Sequence, residues 1–330
     1  MRRMNVGIIG AGNIAGVMAK TLKGMKHVNR YAVAARDLER AEVFAKEYGM
    51  KKAYGSYEEL VQDEKVDLVY ISTPHSHHFE HAMLCIDHGK PVLCEKAFCA
   101  NAVQAEELLR YAREKGVFIT EAIWTRYMPF LKTMRDVLES GVIGEPKMLS
   151  ANLSYQIDHV ERMQEPALAG GSLLDVGVYT LHFAAMMFGK DVKTISSVCT
   201  YTEKGMDEQD SVTLIFEDGK MAVLNCSMLA IGDRKGMIHG TKGYAVIENI
   251  NNFESMTVFD SNHKKIAFYK RPKQISGYEY EVEASLEAVR KGWLEYPDIP
   301  HEETLRIMRQ MDEIRGQLGV RYPFENSEGV

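Results

Sequence analysis

The chain has 330 residues, 45% of them apolar and 26% charged, with a formal net charge of −6. That length suits two domains rather than one. The acidic balance gives no reason to expect nucleic acid as a partner, and apolar runs of strand length predict no membrane span. Cys85, Cys94, Cys99, Cys199 and Cys226 are odd in number and contain no Cys-x-x-Cys pair. They read as reduced, packed thiols of a cytoplasmic protein rather than a disulfide framework or a zinc site.

The N-terminal stretch carries the strongest local signal. Val6–Ile9 is an apolar run that feeds into Gly10-x-Gly12-x-x-Ala15, and an amphipathic segment follows. This is the strand, glycine turn and helix start of a dinucleotide-binding unit. Gly10 permits the tight turn, Gly12 lets the backbone approach a pyrophosphate, and Ala15 keeps helix and strand close. Asn13 and Ile14 open the helix, whose N-terminus offers N–H groups to phosphate oxygens. An ordinary glycine-rich strand–helix turn is the bland alternative.

Strands are predicted at Asn5–Ile9, Arg30–Ala35, Leu68–Ile71, Pro91–Cys94 and Val117–Thr120. Helices alternate with them at Ile14–Leu22, Leu38–Tyr48, Tyr57–Val61, His77–His88 and Asn101–Lys115, with Asn101 as an N-cap. Such alternation argues for a parallel sheet. A helix, Phe130–Ser140, precedes a turn-rich break at 141–146, and the fold of 152–163 stays unassigned. Beyond Val192 strands follow in series at Ser211–Phe216, Met221–Cys226, Lys235–Gly240, Tyr244–Asn249, Ser255–Asp260 and Lys265–Tyr269. Glu217-Asp-Gly-Lys220 is a hairpin signal between the first two of these. Apolar residues on both faces of these strands call for cover, by a second subunit or by a helix of the same chain. Two helices, Glu279–Lys291 and His301–Leu318, close the pattern.

At the end of the second strand an acid favours NAD through the ribose 2′-OH, whereas arginine accommodates the 2′-phosphate of NADP. Here Arg36 occupies that position and Arg40 lies one turn on. Two guanidiniums suit a phosphate, so NADP is favoured. Asp37 keeps NAD open, and the alternative reading of Arg36 and Arg40 is a solvated helix face.

Two further segments lie at carboxyl ends of predicted strands: Ile71-Ser-Thr-Pro-His-Ser-His-His78, and Val92-Leu-Cys-Glu-Lys96. Later comes Gly170-Gly-Ser-Leu-Leu-Asp-Val-Gly-Val-Tyr179. In this order, after the glycine turn, they resemble the Gfo/Idh/MocA oxidoreductases. Glu121-Ala-Ile-Trp-Thr-Arg-Tyr127, Gly240-Thr-Lys-Gly243 and Tyr278–Glu281 are similar to one branch, that of dimeric dihydrodiol dehydrogenases and NADP-dependent D-xylose dehydrogenases. The match runs nearly end to end, with one departure: Ala97 stands where the family has proline after Lys96.

The resemblance implies an α/β chain. A Rossmann domain with a parallel sheet would span residues 1–122. An α+β domain with an open, mainly antiparallel sheet would span 123–330 and carry the substrate and oligomer contacts. It implies a hydride transfer between nicotinamide and a secondary alcohol of a sugar, polyol or cyclic diol, by a homodimer or higher even oligomer. Lys96, Asp175 and Tyr179 take the catalytic roles. Tyr179 would accept the hydroxyl proton, with Lys96 bonding the substrate oxygen; Lys96 as the base is the alternative. Asp175, four residues before Tyr179, would share its helix face. Without the resemblance, the same three residues read as a helix cap, a core aromatic and a surface charge.

Thr73, Pro74, His75, His78, Glu95 and Lys96 would line the cofactor, and Trp124, Arg126 and His182 the substrate. His77 and His81 would be exposed, and the histidine group lacks the acid or cysteine partners of a metal site. Two rivals remain: redox-neutral sugar or glycoside chemistry on tightly bound NAD, and a dinucleotide-sensing protein without catalysis.

Overall fold

Val6, Ile8 and Ile9 have no solvent exposure, because the strand they form lies inside a parallel sheet buried on both faces. The computed structural model describes residues 2–325. The chain runs β1 (Met4–Ile9), α1 (Asn13–Gly24), β2 (Val28–Ala34), α2 (Leu38–Tyr48), β3 (Lys52–Tyr54), α3 (Tyr57–Gln62) and β4 (Leu68–Ile71). It continues through α4 (His78–Asp87), β5 (Val92–Glu95), α5 (Ala102–Lys115), β6 (Ile119–Ala122), α6 (Phe130–Glu139), β7 (Pro146–Ser154) and α7 (Glu161–Gln164). A π-turn, Leu173–Gly177, leads into α8 (Val178–Phe188). Then follow β8 (Val192–Tyr201), β9 (Asp207–Phe216), β10 (Met221–Ser227), β11 (Gly236–Gly240), β12 (Gly243–Glu248), β13 (Ser255–Asp260) and β14 (Lys265–Lys270). Helices α9 (Glu279–Lys291) and α10 (His301–Leu318) complete it.

Two units divide the chain. The first comprises residues 1–124 and 274–308, the second 125–273 and 309–330. The expected boundary at 122/123 therefore misses a return: α9 belongs to the first unit. Val282 and Leu286 of α9 are buried in one core with Ile8, Tyr70 and Leu93. An amphipathic helix goes where its apolar stripe finds a partner, whatever its place in the chain.

The six-stranded sheet of the first unit has the order β3-β2-β1-β4-β5-β6, every pair parallel. That is the doubly wound order of dinucleotide-binding sheets, with the strand order reversing beside β1. Asn101 does cap α5, its Oδ1 accepting Gln104 N–H at 2.9 Å.

In the second unit an eight-stranded sheet runs β14-β13-β12-β11-β7-β10-β9-β8. Only β7 and β10 pair in parallel; all other neighbours are antiparallel. The hairpin at 217–220 joins β9 to β10, with Gly219 at φ 81°. The π-turn and α8 cover one face over β7, β9 and β10. Pro166–Phe188 is the one described helical stretch long and apolar enough to cross a membrane, but 89% of its apolar window is buried inside the unit. It is a core helix.

Leu286 is fully buried against the first unit's sheet. Leu286→Ala is expected to cost about 2–5 kcal/mol, as core truncations do. Urea unfolding followed by a probe in the first unit checks this; an unchanged midpoint would contradict the placement of α9.

Candidate active site

The carboxyl ends of β1, β4 and β5 gather the first unit's functional groups. Gly10 sits at φ 100° against Ser72, a conformation and a clearance that a side chain would not tolerate. A Cβ on Gly12 would meet nothing within 4 Å, so the backbone there is open to a ligand. Gly12 is also the N-cap of α1, which therefore begins with no side chain occupying its first N–H groups. Asn13 is exposed and Ile14 half-buried at that start. These features fit a pyrophosphate at the helix N-terminus.

Arg36 and Arg40 are exposed beyond the end of β2, and Arg40 Nη2 donates to Ala11 O at 3.3 Å, beside the glycine turn. The positive charges of Arg36 and Arg40 both act on Tyr57, and that of Arg36 on His81, which draws this corner together. The Asp37 carboxylate is taken by the helix: it caps α2 by accepting Glu39 N–H at 2.8 Å.

Thr73, Pro74 and His75 follow β4, with His75 buried and the other two half-buried. His78 is fully buried, its Nδ1 2.9 Å from Ala97 O and its Nε2 2.8 Å from Thr73 O. The ring thus ties the segment after β4 to the segment after β5. Burial pulls its pKa down to about 4, and the nearby Lys96 charge adds to this, against the raising pull of the two carbonyls. A neutral imidazole donates to only one of them. His81 corrects the expectation of exposure. It is buried, with Nδ1 3.0 Å from Thr73 Oγ1 and its ring against Tyr57, because α4 packs on α3 there. His77 is half-buried and pairs with Glu80 at 2.7 Å. Among the described residues no group of three His, Cys, Asp or Glu side chains could hold a metal.

Glu95 is buried at the end of β5 and accepts the Tyr70 hydroxyl. Lys96 follows, half-buried, joined to Ala97 by a cis peptide bond. Glu281 of α9 is a residue that motif reading named only within a run. It is wholly buried, neither carboxyl oxygen has a hydrogen-bond partner, and burial with the nearby Glu95 charge pushes its pKa well up. Trp124 is buried too, its indole stacked on Tyr278 at 4.0 Å and 8°.

The second unit holds the other expected residues. Asp175 and Tyr179, both buried, flank the junction of the π-turn with α8. The spacing predicted an α-helical i,i+4 face, but Val178 N–H bonds Leu173 O, a wider i→i+5 turn of a kind frequent at functional sites. Asp175 Oδ1 accepts Arg162 Nη1 at 3.1 Å. Arg162 lies in the segment left unassigned from sequence, so its role was illegible there. Arg126 and His182 meet directly: Arg126 Nε donates to His182 Nδ1 at 2.7 Å, both residues buried. That bond leaves the ring proton of a neutral His182 on Nε2.

His78 gives the site a pH dependence. Its folded pKa lies below the ordinary histidine value, so the unfolded chain takes up the proton first. Stability is full above about pH 6.5 and falls as pH drops toward about 4, with His81 adding in the same window. Thermal midpoints measured from pH 7 to pH 4 should decline, and more gently in His78→Gln. Equal slopes would contradict a neutral His78.

Comparison with known proteins identifies the family. Residues 4–122 match the model of an oxidoreductase family with an NAD-binding Rossmann fold, and residues 131–246 that of the GFO/IDH/MocA C-terminal domain. Trans-1,2-dihydrobenzene-1,2-diol dehydrogenase from Bos taurus is 36% identical over 327 residues, covering 96% of this chain and 97% of that one. The Homo sapiens protein of the same name is 36% identical with the same coverage. Among solved structures, a 3-ketoreductase from Actinomadura kijaniata in complex with NADP and TDP-benzene superposes with a TM-score of 0.87 at 24% identity, covering 96% and 98% of the two chains. A levoglucosan dehydrogenase in complex with NADH and levoglucosan gives 0.85 at 17% identity, covering 96% and 97%. The chain belongs to the Gfo/Idh/MocA oxidoreductase family.

Proposed function

We propose that the protein is an NADP-dependent dehydrogenase that moves hydride between a secondary alcohol of a sugar, polyol or cyclic diol and the nicotinamide ring. The observation that carries this reading is the pairing of an open glycine turn with a lysine at the carboxyl end of β5, in a chain 36% identical to dehydrogenases of a cyclic diol. When bound, nicotinamide would supply the ring carbon that takes hydride from an alcohol carbon or returns it to a ketone.

Gly10, Gly12, Asn13 and Ile14 would hold the pyrophosphate, and Thr73, Pro74, His75, His78 and Glu95 would support the rest of the dinucleotide. The choice of NADP over NAD rests on two things. Arg36 and Arg40 are exposed beyond the end of β2, where a 2′-phosphate would take charge-assisted bonds, and Asp37, the acid next to Arg36, is committed to its helix cap.

For the proton, Tyr179 accepts from the substrate hydroxyl while Lys96 hydrogen-bonds the same oxygen. With the cofactor bound, the O–H proton would pass to the Tyr179 phenolate as the C–H bond gives up its hydride, leaving a carbonyl. Asp175, held by Arg162, orients the polar end of the substrate. Arg126 and His182 act as one hydrogen-bonded pair on the substrate side, with Trp124 as an apolar wall.

Lys96→Met should abolish turnover and leave NADPH affinity intact, measured by fluorescence titration. Arg36→Ala should weaken NADP⁺ far more than NAD⁺. Near-normal turnover in the first variant, or equal losses for both cofactors in the second, would sink the respective assignment.

We also propose a homodimer, formed by the uncovered face of the eight-stranded sheet, in a cytoplasmic setting where the cysteines, none of them in a disulfide, stay reduced. The registers place Phe259, Tyr244, His239, Met148, Met221 and Ile215 side by side across six strands. Tyr244 stacks on Phe259, while Met148 and Met221 are exposed. Such a row on one sheet face is supporting evidence for a partner sheet. Sedimentation velocity should give twice the chain mass; a monomer at all concentrations would refute it.

A further inference from the structure

Beneath the π-turn lies an acid pair that the proposed reaction does not use. Asp207 opens β9 and Asp210 follows three residues on; both are buried, Asp207 completely. Asp207 Oδ2 accepts the backbone N–H of Leu173, the first residue of the π-turn, at 2.6 Å. Its Oδ1 lies against Gly171, where any Cβ would collide with it. Asp210 faces a different chain of partners. Its Oδ2 accepts the Cys226 thiol at 3.0 Å, and Cys226 Sγ in turn accepts the Ser172 hydroxyl at 3.3 Å. The contacts of both acids therefore end on three consecutive residues, 171–173, just ahead of Asp175.

Two deeply buried carboxyls whose charges bear on one another do not both ionise. Burial raises both, and Asp207's charge adds to the rise at Asp210. At Asp207 the backbone N–H groups of Leu173 and Ser172 pull the other way, toward the charged form. A buried anion bonded to backbone N–H groups is a stiff anchor, since charge-assisted bonds are about twice as strong as neutral ones.

We propose that Asp207 carries the negative charge of this pair and Asp210 its proton, and that Asp207 is a positioning residue that pins the π-turn bearing Asp175 and leading into Tyr179. The proposal rests on the catalytic reading of Asp175 and Tyr179 given above. It goes beyond that reading by naming what holds them. Asp207 is closed to solvent and acts through the Leu173 N–H.

Isosteric variants of the full chain separate charge from shape. In Asp210→Asn a neutral group replaces a neutral acid, so nothing should change. In Asp207→Asn the anchor loses its charge. Amide hydrogen exchange, which needs no substrate, should quicken over residues 171–180 in Asp207→Asn and stay at the wild-type rate in Asp210→Asn. With NADP⁺ and trans-1,2-dihydrobenzene-1,2-diol, Asp207→Asn should lower kcat by about ten- to a hundred-fold, the scale of a misplaced catalytic group. KM for NADP⁺ should hold, because that site is in the other unit. Unchanged exchange in Asp207→Asn, or equal effects in the two variants, would overturn the proposal. Should Asp207→Asn not fold, Asp207→Glu keeps the charge but moves the carboxylate off the Leu173 N–H: faster exchange over 171–180 is expected, and wild-type exchange with wild-type kcat would overturn the proposal. Tyr179→Phe keeps the two readings apart: wild-type turnover there overturns the catalytic assignment, whatever the exchange data say of Asp207.

Discussion

A parallel sheet buried on both faces keeps its central strands largely apolar, and this constraint places the chemistry of the first unit. Val6, Ile8 and Ile9 of β1, Leu68–Ile71 of β4 and Val92–Cys94 of β5 are all closed to solvent. Groups that meet a ligand emerge where the strands end. There the chain turns sharply at Gly10, at Thr73–His75 and at Glu95–Lys96, each within a few residues of a strand's last hydrogen bond. His78 then bridges two of these turns through Thr73 O and Ala97 O, so that the loops share one buried tie. Desolvation keeps that tie neutral, so His78 adds no positive charge next to Lys96.

The second unit solves a different problem. Its sheet exposes one face and buries the other under a helix that is apolar all round, with Leu181, Phe183 and Ala184 closed to solvent. Polar groups inside such a layer need partners. Arg126 meets His182, Arg162 meets Asp175, and Asp207 meets Leu173 N–H. Each bond fixes a residue of the helix or of the π-turn that leads into it. The buried polar groups are thus concentrated where the proposed catalysis needs exact placement.

Much of this was legible in the residues because local chemistry and fold agree. Leu38–Tyr48, Leu68–Ile71, Ser255–Asp260 and Glu279–Lys291 have the bounds their patterns predict. What escaped did so for physical reasons. β3 has three residues, too few to show a period. β7 starts at Pro146 behind a turn-rich stretch, although Leu149, Ala151 and Leu153 alternate as buried positions and were a readable signal. β8 is largely exposed and so lacks an apolar run. The return of α9 to the first unit depends on tertiary packing that no local pattern records. The same holds for Arg162 on Asp175, Tyr70 on Glu95, and Asp207 on the π-turn, all pairs distant in sequence.

The proposed activity is net hydride transfer to an exchangeable cofactor. The direct test is formation of reduced nicotinamide by the purified protein, NADP⁺ against NAD⁺, across pentoses, hexoses, inositols and cyclic diols. Steady turnover with NADP⁺ on one class of secondary alcohol, from cofactor added in solution, is the expected result. Conversion of a sugar substrate without net nicotinamide reduction, on cofactor that survives purification, would contradict it.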